Sequence, residues 1–231
     1  MPGKKYALQL LDKVSQDPLD FIMQEHIGTV NCLNGHSLTV AMENKAFFEA
    51  LTESDLLLCD GILIQFLCRL MLGKKVKRIT GPKFADLYIK YAKQKILFLG
   101  SSETVCKKLL LFMKDRTLSK CDAYSPSFTN VVTEKFVQEN LTAVKSADPS
   151  SVFLGLTAPK QEILAHRMKP FVSNINFLQV GAYFEFAAGT LQRAPKFLSW
   201  LGLEWLWRLI LQPTKIGKRI INLRKLFFIL L

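Results

Sequence analysis

The sequence predicts an α/β fold: a Rossmann-like, mostly parallel sheet with helices on both faces, followed by a C-terminal basic amphipathic helical appendage. Three observations lead there. Short apolar runs recur about five or six times along the chain, as expected of strands buried on both faces. Between them lie segments whose apolar residues are three and four apart, the spacing of amphipathic helices. From Arg193 onward eight basic residues face one acid, so seven of the twelve net positive charges fall in the last 39 residues.

Taken in order, residues 6–24 have helical spacing interrupted at Pro18, and IGTVNCLN (27–34) reads as the first buried strand. Asn34-Gly35 opens a loop, and His36 to Thr52 is expected to be one helix with Leu38, Ala41, Met42, Phe47, Phe48 and Leu51 inward. DLLLCDG (55–61) is a strand stopped by Asp60-Gly61. Residues 62–72 are apolar nearly all round and are expected to form a buried helix. After the basic loop 73–81 come an amphipathic helix at 82–94 and the strand-then-turn KILFLGSS (95–102), whose Ser102 is placed to cap a helix at 103–116. A strand near 121–124, a helix at about 130–146 and the strand VFLGL (152–156) follow. TAPKQE (157–162) starts the next helix with Pro159 at a tolerated early position, and INFLQVG (175–181) is the last strand.

At 231 residues and 49% hydrophobic content, the economical division is an α/β domain over 1–192 and an appendage over 193–231. The net charge of +12 points to an anionic partner: a nucleic acid, a phosphate-bearing substrate or an acidic membrane face. Five cysteines without a C-x-x-C pair fit a reducing compartment rather than a disulfide framework. The charged N-terminus lacks a signal-peptide core and no run approaches ~18–20 apolar residues, so neither export nor a membrane span is expected. In the tail, Ile216, Ile220, Leu223, Phe227 and Leu230 recur at helical spacing opposite Lys215, Lys218, Arg219, Asn222 and Lys225. Such a helix suits an anionic bilayer surface, and docking on the protein's own core is the alternative.

In a parallel α/β sheet, ligands bind at the carboxyl ends of the strands, which gathers Asn34, Asp60, Gly100, Ser101, Ser102, Gln161 and Glu185 on one rim. Asp60 is the carboxylate best placed for chemistry, though from the residues alone an Asp-Gly turn reads at least as well; Asn34 carries the same ambiguity as an Asn-Gly turn. His36, a lone histidine near a helix start, reads as a capping or solvated residue. Gly100-Ser101-Ser102 offers backbone N–H groups at a helix start to phosphate. No D-x-D, H-x-x-x-H or cysteine pair is present, so no metal is expected and a bound diphosphate would be neutralised by the protein itself, with arginine the residue best shaped for it.

The words RAPKF (193–197), LGLEWLWRL (201–209) and QP (212–213) resemble the C-terminal signature of the WecG/TagA/CpsF glycosyltransferases, and APKQE (158–162) and LLLCDGI (56–62) resemble internal words of that family. The resemblance spans roughly 27–213 and implies an inverting transferase that moves an N-acetylmannosamine-type sugar or its uronic acid from a UDP-sugar to a polyprenyl-diphosphate-linked saccharide. It implies a peripheral enzyme on the cytoplasmic face of a bacterial membrane, with no cofactor. Asp60 inherits the role of base, Asn34 a hydrogen bond to the sugar, and Gln161 the orientation of sugar or uracil. Arg78, Arg193 and Arg208 match family positions suited to the phosphates, although Arg78 reads equally as part of a solvated basic loop. Glu185 stands where the family usually has aspartate, either to bind a ribose hydroxyl or to cap a helix. The chain departs from the pattern at Cys32, where several members have threonine, and at Gly35-His36, in place of a small acidic pair. A homo-oligomer is left open. The competing reading is a non-catalytic basic α/β module for nucleic acid or an anionic membrane. Against nucleic acid, the tryptophans cluster at one end of the chain instead of interleaving with basic residues.

Overall fold

The computed structural model describes residues 2–22, 24–195, 197–198 and 203–226. Lys196 of RAPKF, Leu201 and Gly202 of LGLEWLWRL, and Phe227 and Leu230 of the tail lie outside the described residues. Six strands form one sheet: β1 (Thr29–Leu33), β2 (Leu56–Cys59), β3 (Ile96–Gly100), β4 (Cys121–Tyr124), β5 (Ser151–Gly155) and β6 (Asn176–Gln179). Their spatial order is β2-β1-β6-β5-β3-β4 and every pairing is parallel. The predicted fold class holds.

Alternate strand residues face opposite cores. Leu58, Phe98, Phe153 and Leu178 pack with α5 (Gly81–Tyr91), α6 (Glu103–Lys114) and the short α9 (Tyr183–Ala187). On the other face, Leu57 and Cys59 meet α1 (Pro2–Lys13), α2 (Gly35–Ala41), α3 (Lys45–Thr52) and α4 (Ile62–Leu72). Farther along that face, Leu99, Val152 and Leu154 meet α7 (Glu134–Ala147) and α8 (Lys160–Met168). The appendage adds α10 (Glu204–Leu211) and α11 (Pro213–Leu223). Among the described residues, no helix is long and apolar enough to cross a membrane.

Two sequence expectations need correction. The single helix over 36–52 is two, because Asn44 caps a new start by accepting the Phe47 N–H at 3.0 Å. Residues 6–24 divide as the interruption at Pro18 predicts: α1 ends at Lys13, and Asp17 caps a 3₁₀ turn, Pro18–Phe21, that Pro18 begins. The helix over 62–72 is not buried. Only Ile64, Leu67 and Cys68 of α4 enter the core, leaving Ile62, Leu63, Phe66, Leu70 and Leu72 exposed.

For the appendage, the amphipathic helix forms, but its apolar stripe turns inward. Ile216 is buried, Leu223 packs on the core shared by α1, α2 and α4, and Leu226 beyond it is part of that core. Lys225 Nζ secures the end by pairing with Glu43 at 2.6 Å.

The chain leaves β3 toward β4 on one side and leaves β5 toward β6 on the other, so the crevice between β3 and β5 is a topological switch point. Gly100 and Gly155 are paired directly across it. A Cβ at Gly100 would stand 2.7 Å from the Gly155 carbonyl carbon, and its φ of +134° is open mainly to glycine.

Candidate active site

The carboxyl ends of β1 and β2 bring Asn34 and Asp60 together. The Asp60 N–H donates to the Leu33 carbonyl at 2.9 Å, and Gly61, at φ +128°, lets the chain turn at once into α4. Asn34 heads α2 with a capping box: its Oδ1 accepts the Ser37 N–H at 3.0 Å while its own N–H donates to Ser37 Oγ at 2.7 Å. Its Nδ2 donates to Asp60 Oδ2 at 3.4 Å. The same amide therefore caps a helix and holds the carboxylate.

Burial raises the Asp60 carboxyl from its ordinary 3.8 to about 6, against the opposing Asn34 hydrogen bond; Glu204 adds to the rise, while Arg208 and Arg78 counter it. Arg78 reaches this spot because it bridges in parallel to Cys59, with the next N–H, that of Ile79, donating to the Cys59 carbonyl at 3.0 Å. It is half-buried beside the end of β2. The "solvated loop" reading of Arg78 gives way to a position at the site's edge.

Gln161 and Glu162 are both buried at the start of α8, and Gln161 Nε2 donates to Glu162 Oε1 at 2.9 Å. Burial raises the Glu162 carboxyl to about 7. Glu162 and Asp60 both act on Cys32, whose thiol is pushed well up by burial and by these two charges. Sequence reasoning chose Gln161 and passed over Glu162. The available signal was a carboxylate adjacent to Gln161 at the first turn of an amphipathic helix, where charge is normally turned outward.

At the switch point Ser101, at φ +58°, donates from Oγ to Glu185 Oε1 at 3.1 Å, and Ser102 caps α6 by accepting the Val105 N–H at 3.4 Å. Glu185 thus ties β6's exit to β3's exit, and its side chain does not cap α9. Arg208 and Arg193 share one aromatic ring, with guanidinium carbons 5.8 and 5.7 Å from the Phe186 centroid. Arg208 is the one that also acts on Asp60. Arg193 Nη1 is paired at 3.0 Å with Asp86 Oδ2, whose Oδ1 accepts the Tyr183 hydroxyl at 2.9 Å. Arg193, Asp86, Tyr183 and Phe186 line a cleft of about 490 Å³ between α5, α6 and α9, whose lining includes neither Arg208 nor Asp60.

His36 neither caps nor stands in solvent. Burial, with Arg219 nearby, lowers its imidazole to about 4, and its Nδ1 is buried without a partner among the described residues. Arg219, assigned from sequence to the solvent side of α11, is half-buried; burial and the neighbouring Arg208 lower its pKa. Its long stem carries the charge inward from the flank of the helix.

Several buried polar atoms on this rim have no hydrogen-bond partner among the described residues: Gln161 Oε1, Glu162 Oε2, Glu185 Oε2 and Arg208 Nε. Buried polar groups are nearly always paired, and these four, out of nine such atoms among the described residues, are free to pair with a polar ligand at this rim. Two carboxylates of raised pKa, cations from two separate segments and a helix start at a switch point suit proton abstraction beside a phosphate-bearing substrate.

The chain is similar in sequence to known proteins. An N-acetylglucosaminyldiphosphoundecaprenol N-acetyl-beta-D-mannosaminyltransferase of Bacillus subtilis is 27% identical over 212 residues, covering 89% of this chain and 79% of the relative. The protein of the same description from Bacillus spizizenii is 27% identical over 190 residues, covering 80% of this chain and 71% of its own length. The model of the "Glycosyl transferase WecG/TagA/CpsF family" matches residues 8–231, and the chain accordingly belongs to that glycosyltransferase family.

Proposed function

We propose that this glycosyltransferase transfers an N-acetylmannosamine-type sugar, in one inverting displacement, from a UDP-sugar to a sugar hydroxyl on a polyprenyl diphosphate at the inner face of a bacterial membrane. The observation that carries the reading is Asp60: a carboxylate of raised pKa, held by Asn34 and flanked by Arg78 and Arg208 at the carboxyl end of β2. The acceptor hydroxyl gives its proton to Asp60 as its oxygen bonds to the donor's anomeric carbon, and the bond from that carbon to the UDP oxygen breaks on the opposite face. Negative charge grows on the departing diphosphate. Arg208, with an unpartnered Nε, and the start of α6 at Ser102 are the groups suited to take it. Gln161 and Glu185 each keep one unpartnered buried oxygen that can accept a hydroxyl from sugar or ribose. The two Bacillus relatives, named for mannosaminyl transfer to a diphosphoundecaprenol acceptor, support the choice of sugar and acceptor.

The test is turnover of a panel of UDP-sugars with a short-chain prenyl-diphosphate N-acetylglucosamine, read by mass spectrometry. UDP-N-acetylmannosamine should give the disaccharide product. Absence of transfer from every UDP-sugar, together with tight binding of RNA or DNA, would establish the non-catalytic alternative.

A further inference from the structure

The apolar stripe that sequence assigns to a bilayer, that of α11, is used inside the protein, while α4 displays one outside it. Ile62, Leu63, Phe66 and Leu70 fall within about 100° of the helix circumference at 100° per residue, and Phe66 and Leu70 are 54% and 59% exposed. A contiguous set of large apolar side chains left in water marks a contact surface. The set continues into the appendage. A methyl group built on Gly35 would meet Leu63 at 3.0 Å and Leu223 at 2.8 Å, so α4 and α11 adjoin over the start of α2. Beside Asp60, α10 adds exposed Trp205, Leu206 and Ile210.

The rim of this surface decides what it meets. Arg69 within α4 and Lys74 and Lys75 just after it are the basic residues beside this face, no acid occurs from Gly61 to Ala85, and Lys77 is paired with Asp17. In a two-fold self-association those like-charged rims would face each other, which is unfavourable. An anionic lipid leaflet supplies both the apolar interior and the opposite charge. We infer that the exposed face of α4, with its basic rim, is the protein's bilayer contact, and that it sets Asp60, two residues before the helix, at headgroup level. The inference rests on the proposed acceptor, whose diphosphate lies at that same level. α4 is about 16 Å long, so the helix lies along the leaflet and does not cross it.

The experiment is co-sedimentation of the full chain with phosphatidylglycerol-containing and with neutral phosphatidylcholine vesicles. The variants are Phe66→Ser/Leu70→Ser and, as a control for loss of exposed apolar surface elsewhere, Leu118→Ser, a fully exposed residue (101%) beyond α6. The double variant should keep its unfolding temperature and its turnover of a short, water-soluble acceptor, and should lose at least tenfold in partitioning to anionic vesicles, about 1.4 kcal/mol. Leu118→Ser should partition like the parent. A loss below tenfold in the double variant overturns the inference. So does a parent that is dimeric by light scattering and becomes monomeric in the double variant, since α4 would then be a self-association surface. If no acceptor is ever glycosylated, the proposed reaction fails while the vesicle result still stands or falls on its own.

Discussion

Asp60→Asn should separate catalysis from stability, moving them in opposite directions. The substitution keeps the side chain's shape and its place beside Asn34 but removes proton acceptance. A positioned general base contributes about 10²–10⁴ in rate, so kcat should fall by at least 10²-fold, about 2.7 kcal/mol of barrier, while UDP affinity is retained. The fold should gain. Raising a carboxyl from 3.8 to about 6 means that its ionised form is disfavoured in the folded protein. Two pH units correspond to about 3 kcal/mol, and because Asp60 is only half-buried a gain of about 1–2 kcal/mol is expected. For a domain of this size that is roughly 2–8 °C in Tm. The sign follows from proton binding: between 3.8 and 6 the folded state holds more protons than the unfolded one, so the wild type loses stability as pH rises through that window. The Tm advantage of Asp60→Asn should therefore be full at pH 7.5 and vanish near pH 4. Thermal unfolding across pH, beside single-turnover kinetics, measures both arms. Transfer within tenfold of wild type would refute the base assignment, and an advantage independent of pH would refute burial as the origin of the raised pKa.

Other outcomes follow from neighbouring groups. Arg208→Ala should reduce kcat about 10²-fold and move the acid limb of the pH–rate profile above 6, because that guanidinium opposes the rise in the Asp60 pKa. Glu162 is raised from 4.5 to about 7, so the wild type should lose stability between those pH values; Glu162→Gln should flatten that slope in a Tm-versus-pH series. Gly100→Ala drives a methyl into the Gly155 carbonyl at a positive φ, and should cost about 2–4 kcal/mol in urea unfolding together with most UDP affinity. Since Arg208 and the start of α6 take the charge of the leaving group in the proposed reaction, transfer should persist in EDTA. A loss restored by Mn²⁺ or Mg²⁺ would show that a divalent ion handles the diphosphate.

Much of this was legible in the chain because strand ends announce themselves. Continuous apolar runs stopped by Asn34-Gly35, Asp60-Gly61 and Gly100-Ser101 fix both the strand and the residue that leaves it, and a parallel sheet puts those residues on one rim. What periodicity could not reveal was direction. In α4 apolar residues surround the helix, so the pattern names no inner face, and tertiary packing selected Ile64, Leu67 and Cys68. In α11 the stripe was correctly drawn, yet the same stripe suits lipid or a neighbouring helix, and α2 was the neighbour at hand. Glu162 was hidden for a different reason: its location at a helix start is ordinary for an exposed acid, and only the packing of α8 over the sheet buries it.

The strand order has a consequence for the chain as it is made. β1 lies between β2 and β6, so this strand, made before the other five of the sheet, cannot be paired on both sides until residue 179 is available. Until then one edge of β1 offers free N–H and C=O groups, with Leu33 on one side and Val30 on the other still uncovered by the full set of helices. Such non-local closure is slow relative to the growth of local helices, and incomplete chains carry an open apolar sheet edge. Nascent fragments ending before Asn176 should therefore aggregate, and chains that reach Gln179 acquire the strand that closes β1.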